Sequence, residues 1–394
     1  DLPMNNGPLL LFLLSLGHLC TDLVQGALPA LLPYLKDRFF LSYAATGTIL
    51  LAAQLTSSVI QPLFGYATDR RPFPILLSLG CLVSGIGIAL LPHSPSFPWL
   101  ITIVTFLGIG TAAFHPEGFK ATACITSVKR ATGMSFFSVG GNLGFAIGAP
   151  AAIFLVSRWG LPGASALIVP AAIAAALFLP ALPHIRKRIT EASARASSPV
   201  DNGVRRPMYA VSLIVLIVVF RSWTQLGLAA YLPFLYREEL ARNPEFVATL
   251  LFLFLGAGAV GTLAGGPIAD RIGHRKMLFL SLILQVPLIF LFLSATGWAV
   301  FVLAAAVGAT IVSTFSVTIV MAQEIFPLRM ATASGTIAGF AIGTGGIGVT
   351  LLGVVADRYG VPAAVHLINL LPVIGALLAV MLPLPWQAGV PRTA

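Results

Sequence analysis

Long apolar runs alternate with short polar segments along nearly the whole chain. Each run is about 20 residues or longer, the length that an α-helix needs to cross a hydrocarbon core of roughly 30 Å. The runs lack the sustained alternation typical of strands, which favours helices over a barrel. The predicted spans are roughly 8–35, 43–67, 73–92, 98–120, 130–157, 162–182, 207–236, 244–269, 274–294, 297–323, 330–357 and 361–385. This pattern predicts an all-α membrane protein with twelve transmembrane helices.

One polar stretch occurs twice. The first copy runs from Gly65 to Arg71 and the second from Gly266 to Lys276; in both, an aspartate follows the glycine by four residues. The two glycines are 201 residues apart in a chain of 394. A repeat at half the chain length indicates two similar halves.

The repeat extends to other segments. Residues 25–35 are echoed by 225–235, and residues 158–162 by 358–362. Six spans in each half make the halves parallel repeats, a class of transporter that binds substrate between its repeats and alternates access by rocking. The predicted organisation is a six-helix bundle over 1–182, a basic cytoplasmic linker over 183–206 and a second six-helix bundle over 207–394.

Composition supports a membrane location. Hydrophobic residues make up 57% of the chain and charged residues 9%, against roughly 25% charged residues in a soluble domain. The net charge of +10 does not indicate nucleic-acid binding, because the basic residues lie in short loops rather than in a patch with aromatic partners. Sixteen of the 23 lysines and arginines fall on one side of the predicted spans and six on the other, which predicts that both termini are cytoplasmic.

Asp22 is the strongest candidate for chemistry within a span. It lies near the middle of the first span, where an unpaired carboxylate costs several kcal/mol. His18 is one helical turn earlier and shares its face. We expect Asp22 to carry protons or to form part of the substrate site; the alternative is a paired charge that only orients the helix.

Further charged positions within or near the spans have more than one interpretation. Arg221 lies at the depth of Asp22 in the second half, and either pairs with Asp22 or binds an anionic substrate group; the alternatives are packing against the carbonyls of its own helix or snorkelling to the end of the span. His115 and Glu117 flank a proline in the fourth span; Glu117 either relays protons or pairs with Lys120 or Arg130. Its counterpart, Glu324, is expected to pair with Arg329 or Arg275 as a cytoplasmic lock.

Amide and aromatic side chains complete the predicted substrate site. Gln25 and Asn142 are the favoured amides, although hydrogen bonding between helices is the commoner role for such residues. Phe114 is the favoured ring. The three cysteines have no metal or disulfide spacing, so we expect no metal. No Walker sequence and no hydrolase motif is present, which predicts neither a catalytic residue nor a cofactor and does not indicate ATP as the energy source.

The twelve spans, the basic central segment and the doubled Gly-x-x-x-Asp-Arg loop resemble the major facilitator superfamily along the whole chain. The resemblance implies that this loop stabilises one conformational state. The latch residues that it indicates are Gly65, Asp69, Arg70, Gly266, Asp270, Arg271, Glu324 and Arg329. The first copy replaces Gly273–Lys276 of the second with Arg71–Pro74, so we expect the latch to be asymmetric. Residues 140–150 are similar to the glycine–proline motif of antiporters, with Ala149 as an insertion.

Five motifs, in order, resemble the fosmidomycin-resistance group of bacterial efflux proteins. They are Gly17-His18…Asp22…Gln25, Gln61-Pro62…Gly65-Tyr66…Asp69, Phe114-His115-Pro116-Glu117, Val139-Gly140-Gly141-Asn142 and Ala322-Gln323-Glu324…Pro327…Arg329. This resemblance implies a bacterial inner-membrane antiporter, expected to be a monomer, that exports a small drug-like or anionic compound in exchange for protons.

Two other functions remain open at this point. A proton symporter that imports a metabolite uses the same scaffold and differs only in the direction of flux. A membrane receptor or enzyme without transport is disfavoured by the internal duplication and the paired loops.

Overall fold

The computed structural model describes residues 7–41, 43–126, 130–195, 206–236, 240–242 and 244–383, and within these ranges the chain is helical with no β-strand. The α-helices are α1 Gly7–Phe39, α2 Tyr43–Arg70, α3 Ile75–Leu90, α4 Phe97–Ile125, α5 Arg130–Trp159, α6 Ile168–Arg195, α7 Pro207–Phe234, α8 Pro244–Ile272, α9 His274–Ser294, α10 Ala299–Val312, α11 Phe315–Ile325, α12 Met330–Gly343, α13 Gly345–Tyr359, α14 Val361–Ile368 and α15 Leu371–Val380. Short 3-10 helices at Leu91–His93 and Leu161–Leu167 precede α4 and α6.

Each of the twelve predicted spans coincides with helix. Among the described residues, ten helices are long and apolar enough to cross a membrane, and Ile347–Ala356 within α13 is a shorter apolar helix. The prediction of an all-α membrane protein is confirmed. The last three spans differ from the prediction in being interrupted, between α10 and α11, between α12 and α13, and between α14 and α15. Pro372 at the start of α15 has no N–H to continue the helix before it, which accounts for the last break.

The chain divides into two compact units. Unit 1 comprises residues 1–127, 136–199 and 326–339; unit 2 comprises 128–135, 200–325 and 340–394. Unit 1 contains most of the residues before 200 and unit 2 most of those after it. The exceptions are the first turns of α5, which belong to unit 2, and most of α12, which belongs to unit 1. The predicted linker begins inside α6, which continues to Arg195, and residues 196–205 lie outside the described ranges.

The two units repeat one packing pattern. In unit 1, α4 packs against α2 and α3, and α6 against α3; in unit 2, α10 packs against α8 and α9, and α15 against α9. Each unit also has its own apolar core, with Leu28, Leu31 and Leu107 fully buried in unit 1 and Leu232 and Phe292 in unit 2. The duplication read from the sequence is therefore also a duplication of helix packing.

Candidate transport and coupling site

Asp22 lies in a buried polar cluster formed by α1 and α4 of unit 1. Its Oδ1 accepts hydrogen bonds from Gln25 Nε2 at 2.8 Å and from His115 Nε2 at 3.1 Å. Its Oδ2 is 3.2 Å from His18 Nε2. Only 16% of the Asp22 side chain is exposed, and 4% of each histidine. One carboxylate is thus held between two imidazoles.

A backbone carbonyl decides which nitrogen of His18 carries a proton. His18 Nδ1 lies 2.8 Å from the carbonyl oxygen of Phe137 on α5, and because a carbonyl can only accept, Nδ1 is the donor. In a neutral ring, Nε2 would then present a lone pair to the Asp22 oxygen. The His18–Asp22 pair therefore needs one additional proton, held either as imidazolium with carboxylate or as imidazole with carboxylic acid.

His115 makes the opposite arrangement. The amide nitrogen of Gln61 lies 3.4 Å from His115 Nδ1 and donates to it, so Nε2 carries the ring proton and donates to Asp22 Oδ1. In a neutral His115, both ring nitrogens therefore have a hydrogen-bond partner in the cluster. The edge that lacks a proton in the neutral cluster is therefore the one between His18 and Asp22.

Helix α5 and several aromatic rings enclose this edge. A Cβ atom built on Gly141 would lie 2.6 Å from Asp22 Oδ2 and closer still to His18 Nε2, so any other residue there would force these two side chains to shift. The Phe137 ring stacks on His18 with 4.2 Å between ring centroids. Phe114, predicted to line the substrate site, is fully buried behind the histidines, 6.1 Å from the His18 ring centroid. Asn142 is half-buried on α5.

The sequence predicted part of this cluster. The spacing of His18 and Asp22 on one helix indicated that they share a face, and the structure places them in contact. Gln25, predicted as a substrate-site amide, also contacts Asp22. That His115 reaches Asp22 from α4, 93 residues away, was not predicted. The sequence indicated a role for His115 only through the Phe-His-Pro-Glu motif, and that motif does not specify which residue His115 contacts.

The cluster also has the spacing of a small metal site, although we expected none. Its three ligand atoms, from His18, Asp22 and His115, lie within 4.8 Å of one another. Coordination would displace the hydrogen bonds that Asp22 Oδ1 already accepts from Gln25 and His115. The hydrogen-bonded arrangement is complete with a proton in place of a metal.

Glu117 is deeply buried on α4, two residues after His115. Its exposed fraction is 0%, and neither carboxylate oxygen has a hydrogen-bond partner among the described residues. Lys120, which was expected to pair with it, instead pairs with Asp69. An ionised carboxylate without partners is costly in such a place, which makes Glu117 a second candidate for proton exchange.

Arg221 lies within unit 2 on α7. It is 3% exposed, its guanidinium carbon is 5.3 Å from the centroid of the Phe315 ring, and its Nη1 has no hydrogen-bond partner in the described part of the chain. A buried guanidinium with a free donor is suited to an anionic ligand group. The predicted pairing of Arg221 with Asp22 would join the two units and stays a prediction.

The first copy of the repeated loop places Asp69 at the N-terminus of α12, within unit 1. Its carboxylate accepts hydrogen bonds from the backbone N–H of Ala331 at 3.0 Å and of Thr332 at 2.8 Å, and from the Thr332 hydroxyl at 2.6 Å. Lys120 Nζ is 3.5 Å from Asp69 Oδ1 and donates to the Thr68 carbonyl at 2.6 Å. We call Asp69, Lys120 and the start of α12 the first latch.

The second copy places Asp270 at the N-terminus of α5, within unit 2. Asp270 Oδ2 accepts from the backbone N–H of Thr132 at 2.9 Å and from its hydroxyl at 2.5 Å. The basic residue at this site is His274, whose Nε2 is 3.7 Å from Asp270 Oδ1 and whose Nδ1 is 3.2 Å from Glu324 Oε2. We call Asp270, His274, Glu324 and the start of α5 the second latch.

The predicted latch glycines are closely packed, whereas the predicted latch arginines are exposed. Gly65 and Gly266 face the capped helices so closely that a Cβ on either would collide with that helix's backbone. The three arginines Arg70, Arg271 and Arg329 are exposed, and Arg70 lies 4.3 Å from the centroid of the Tyr66 ring.

Glu324 was predicted to pair with Arg329 or Arg275, and the structure shows a contact with His274. Arg275 donates hydrogen bonds to the carbonyl oxygens of Ala379 and Val380. His274 lies within the second copy of the repeated loop, but no role was predicted for it from the sequence.

The family of this chain follows from comparison with known proteins. The model of the Major Facilitator Superfamily matches residues 14–241 and 211–391, and the chain belongs to that family. It is therefore a multi-pass membrane transporter and not an enzyme.

Two relatives match nearly the whole chain. The fosmidomycin resistance protein of Escherichia coli is 30% identical over 94% of this chain and 91% of its own length. An MFS-type transporter of Bacillus subtilis, YfnC, is 31% identical over 95% of this chain and 92% of its own length. The resemblance to the fosmidomycin-resistance group is confirmed.

Solved structures show the same fold at low identity. The human organic anion transporter MFSD10 has a TM-score of 0.72 at 17% identity and covers 94% of this chain and 98% of its own. The Escherichia coli fucose:proton symporter FucP has a TM-score of 0.68 at 14% identity and covers 96% of this chain and 99% of its own.

Proposed function

We propose that this protein is a proton-coupled antiporter that exports a small drug-like or anionic compound, of the fosmidomycin type, by alternating access. The observation that carries the proposal is the buried edge between His18 and Asp22, which needs one proton to be satisfied. The relative named as a fosmidomycin resistance protein supports the direction and the class of compound.

The geometry suggests how a proton acts at this edge. With the proton present, His18 and Asp22 attract each other and close the cluster. When the proton leaves, a lone pair on Nε2 faces a carboxylate oxygen at 3.2 Å, and repulsion opens the edge. Asp22 then retains Gln25 and His115 on Oδ1, while Oδ2 becomes available to another donor. His115 and Glu117 are proposed to complete the proton route.

Arg221 is proposed to bind the anionic group of the substrate. Its buried position removes competing water, and its unpartnered Nη1 offers a charged donor. A charge-assisted hydrogen bond of this kind is stronger than a neutral one. Asn142 and Gln25 are the amides proposed to orient the compound.

The charge asymmetry of the loops supports a proposed orientation of the chain in the membrane. We propose a monomer in the bacterial inner membrane with both termini cytoplasmic, since sixteen of the 23 lysines and arginines then face the cytoplasm. Protease accessibility of tags at each terminus, in inverted and right-side-out vesicles, tests this. Tags cleaved only in right-side-out vesicles would refute the orientation.

The decisive experiment measures labelled fosmidomycin in proteoliposomes with an imposed pH gradient. An antiporter accumulates the compound when the vesicle interior is acidic, because protons leave as the compound enters. A symporter accumulates it when the exterior is acidic, and that result would overturn the exporter proposal in favour of import. A protonophore should abolish either signal.

The Asp22→Asn variant tests the site. Asparagine keeps the shape but cannot exchange the proton, so gradient-driven accumulation should fall at least about tenfold while exchange of labelled for unlabelled compound persists. The matched control is Asp37→Asn, the same change at an exposed position on the same helix, which should behave as wild type. Coupling that survives Asp22→Asn would remove Asp22 from the mechanism.

The Arg221→Gln variant tests the substrate anchor. Losing a charged donor should raise the KM for fosmidomycin by about tenfold or more, with Arg221→Lys intermediate because it keeps the charge without the planar fork. The number of protons exchanged per molecule should not change. An unchanged KM in both variants would exclude Arg221 from the substrate site.

A further inference from the structure

His274 has an unusual set of neighbours for a buried imidazole. It is the first residue of α9 and is 4% exposed. Both of its ring nitrogens face carboxylates, Glu324 Oε2 at 3.2 Å and Asp270 Oδ1 at 3.7 Å. Carboxylates can only accept hydrogen bonds, and a neutral imidazole has one N–H. Only the doubly protonated ring satisfies both neighbours.

The other charged groups around His274 do not change the number of ring protons that its two carboxylate neighbours require. From α8 the facing group is Asp270, with Arg271 exposed; from α11 it is Glu324. The packed helices α10 and α15 contain no titratable side chain. On α9 itself, Arg275 donates to carbonyls of α15 and Lys276 is exposed.

The same carboxylate also holds the start of another helix. Asp270 Oδ2 accepts both the backbone N–H and the hydroxyl of Thr132, at the N-terminus of α5. A neutral His274 would leave Asp270 and Glu324 as two carboxylates sharing one N–H, which weakens the attraction that holds Asp270 in place. Proton occupancy at His274 and the strength of the helix cap are thereby linked.

We propose that His274 is a proton-binding site in its own right, separate from Asp22, and that its proton strengthens the Asp270 cap on α5. The second latch is then tight when His274 is protonated and loose when it is neutral. The first latch lacks this property because its cation is Lys120. This inference does not depend on a proton at Asp22 or on the substrate.

The first test reads the protonation state directly. Isotope-labelled histidine in the full-length protein, reconstituted in nanodiscs, gives ring-nitrogen resonances, and the His274 signals are those lost in His274→Gln. We expect both ring nitrogens to carry a proton near neutral pH, and one of them to be lost in Glu324→Gln. A wild-type His274 with a single N–H near neutral pH would overturn the proposal.

The second test reads the link to the cap through amide hydrogen exchange. The quantity is the protection of the peptide containing Thr132 divided by that of the peptide containing Thr332, the equivalent cap in the first latch, which cancels the intrinsic effect of pH on exchange. From about pH 6 to about pH 9 this ratio should fall about fivefold in the wild type. In His274→Arg, which keeps a permanent charge, the ratio should stay constant.

Two results would contradict the link. A wild-type ratio that does not change with pH would show that the strength of the cap does not depend on the protonation of His274. A ratio that still falls in His274→Arg would assign the pH response to another group. If His274→Arg fails to fold, His274→Lys serves the same purpose. The wild-type ratio and the nitrogen resonances decide the proposal without either variant.

Discussion

The two latches use the same cap and different cations. Asp69 and Asp270 stand 201 residues apart, and each accepts the backbone N–H and the hydroxyl of a threonine at a helix N-terminus. Asp69 pairs with Lys120, whereas Asp270 pairs with His274. Lysine is charged throughout the physiological pH range and histidine is not. A duplicated motif can therefore keep its geometry while one copy acquires sensitivity to protons.

The two latches also differ in how deeply their charged side chains are buried. In the first, the side chains of Lys120 and Asp69 are 6% and 5% exposed; in the second, Asp270 is 19% exposed and Glu324 33%. A buried pair loses more than an exposed pair when one partner is removed. We therefore expect the loss of one partner to cost more in the first latch than in the second.

The largest expected effect comes from removing the cation of the first latch. Lys120→Gln leaves the buried Asp69 carboxylate without its counter-ion, and the unfolding free energy in detergent should fall by about 3–5 kcal/mol. His274→Gln, in the more exposed second latch, should cost less, of order 1 kcal/mol. Equal losses in the two variants would contradict the difference in burial.

The latch glycines should respond alike. A Cβ on Gly65 would lie 2.5 Å from the Ala331 carbonyl oxygen, and one on Gly266 would meet the Ala131 carbonyl oxygen. Gly65→Ala and Gly266→Ala should each destabilise the protein by about 1–3 kcal/mol, because the capped helix has to move away. The measurement is thermal unfolding in detergent. A loss at one glycine only would show that the two copies do not pack equivalently.

The capping threonines should show a smaller and unequal effect. Thr332→Val leaves Asp69 with two backbone N–H donors, whereas Thr132→Val leaves Asp270 with one. Removing the hydroxyl should cost about 1 kcal/mol at Thr332 and about 2 kcal/mol at Thr132. Amide exchange at the start of α12 and of α5 measures each cap separately. The reverse order would mean that His274 compensates for the missing donor.

The smallest effect is expected at the exposed arginines. Arg70→Gln removes a cation–π contact with Tyr66, worth about 0.5–1 kcal/mol at an exposed site. Arg271→Gln is the control in the second copy, where the described residues show no ring against the guanidinium, and stability should stay within about 0.5 kcal/mol. A large loss of stability in either variant would give the exposed arginines a role in the latch that their positions do not explain.

Much of the architecture was determined by the sequence alone. The lengths of the apolar runs determine how many helices span the bilayer, because an unsatisfied backbone is too costly in lipid for other structures. The spacing of Gly65 to Asp69 and of Gly266 to Asp270 revealed the duplication. The turn from His18 to Asp22 placed both residues on one helix face, since neighbours on a helix surface are fixed by its periodicity.

Only the tertiary structure decided the partners. His115 reaches Asp22 across 93 residues, and Asp69 caps a helix that begins more than 260 residues later, because helices that are distant in sequence pack side by side. The Phe137 carbonyl sets the tautomer of His18, and no pattern of side chains encodes a backbone contact. Glu324 contacts His274, a partner that the sequence did not indicate. Sequence periodicity specifies which residues share a helix face. The packing of helices specifies which residues each face contacts, and therefore where a proton is held.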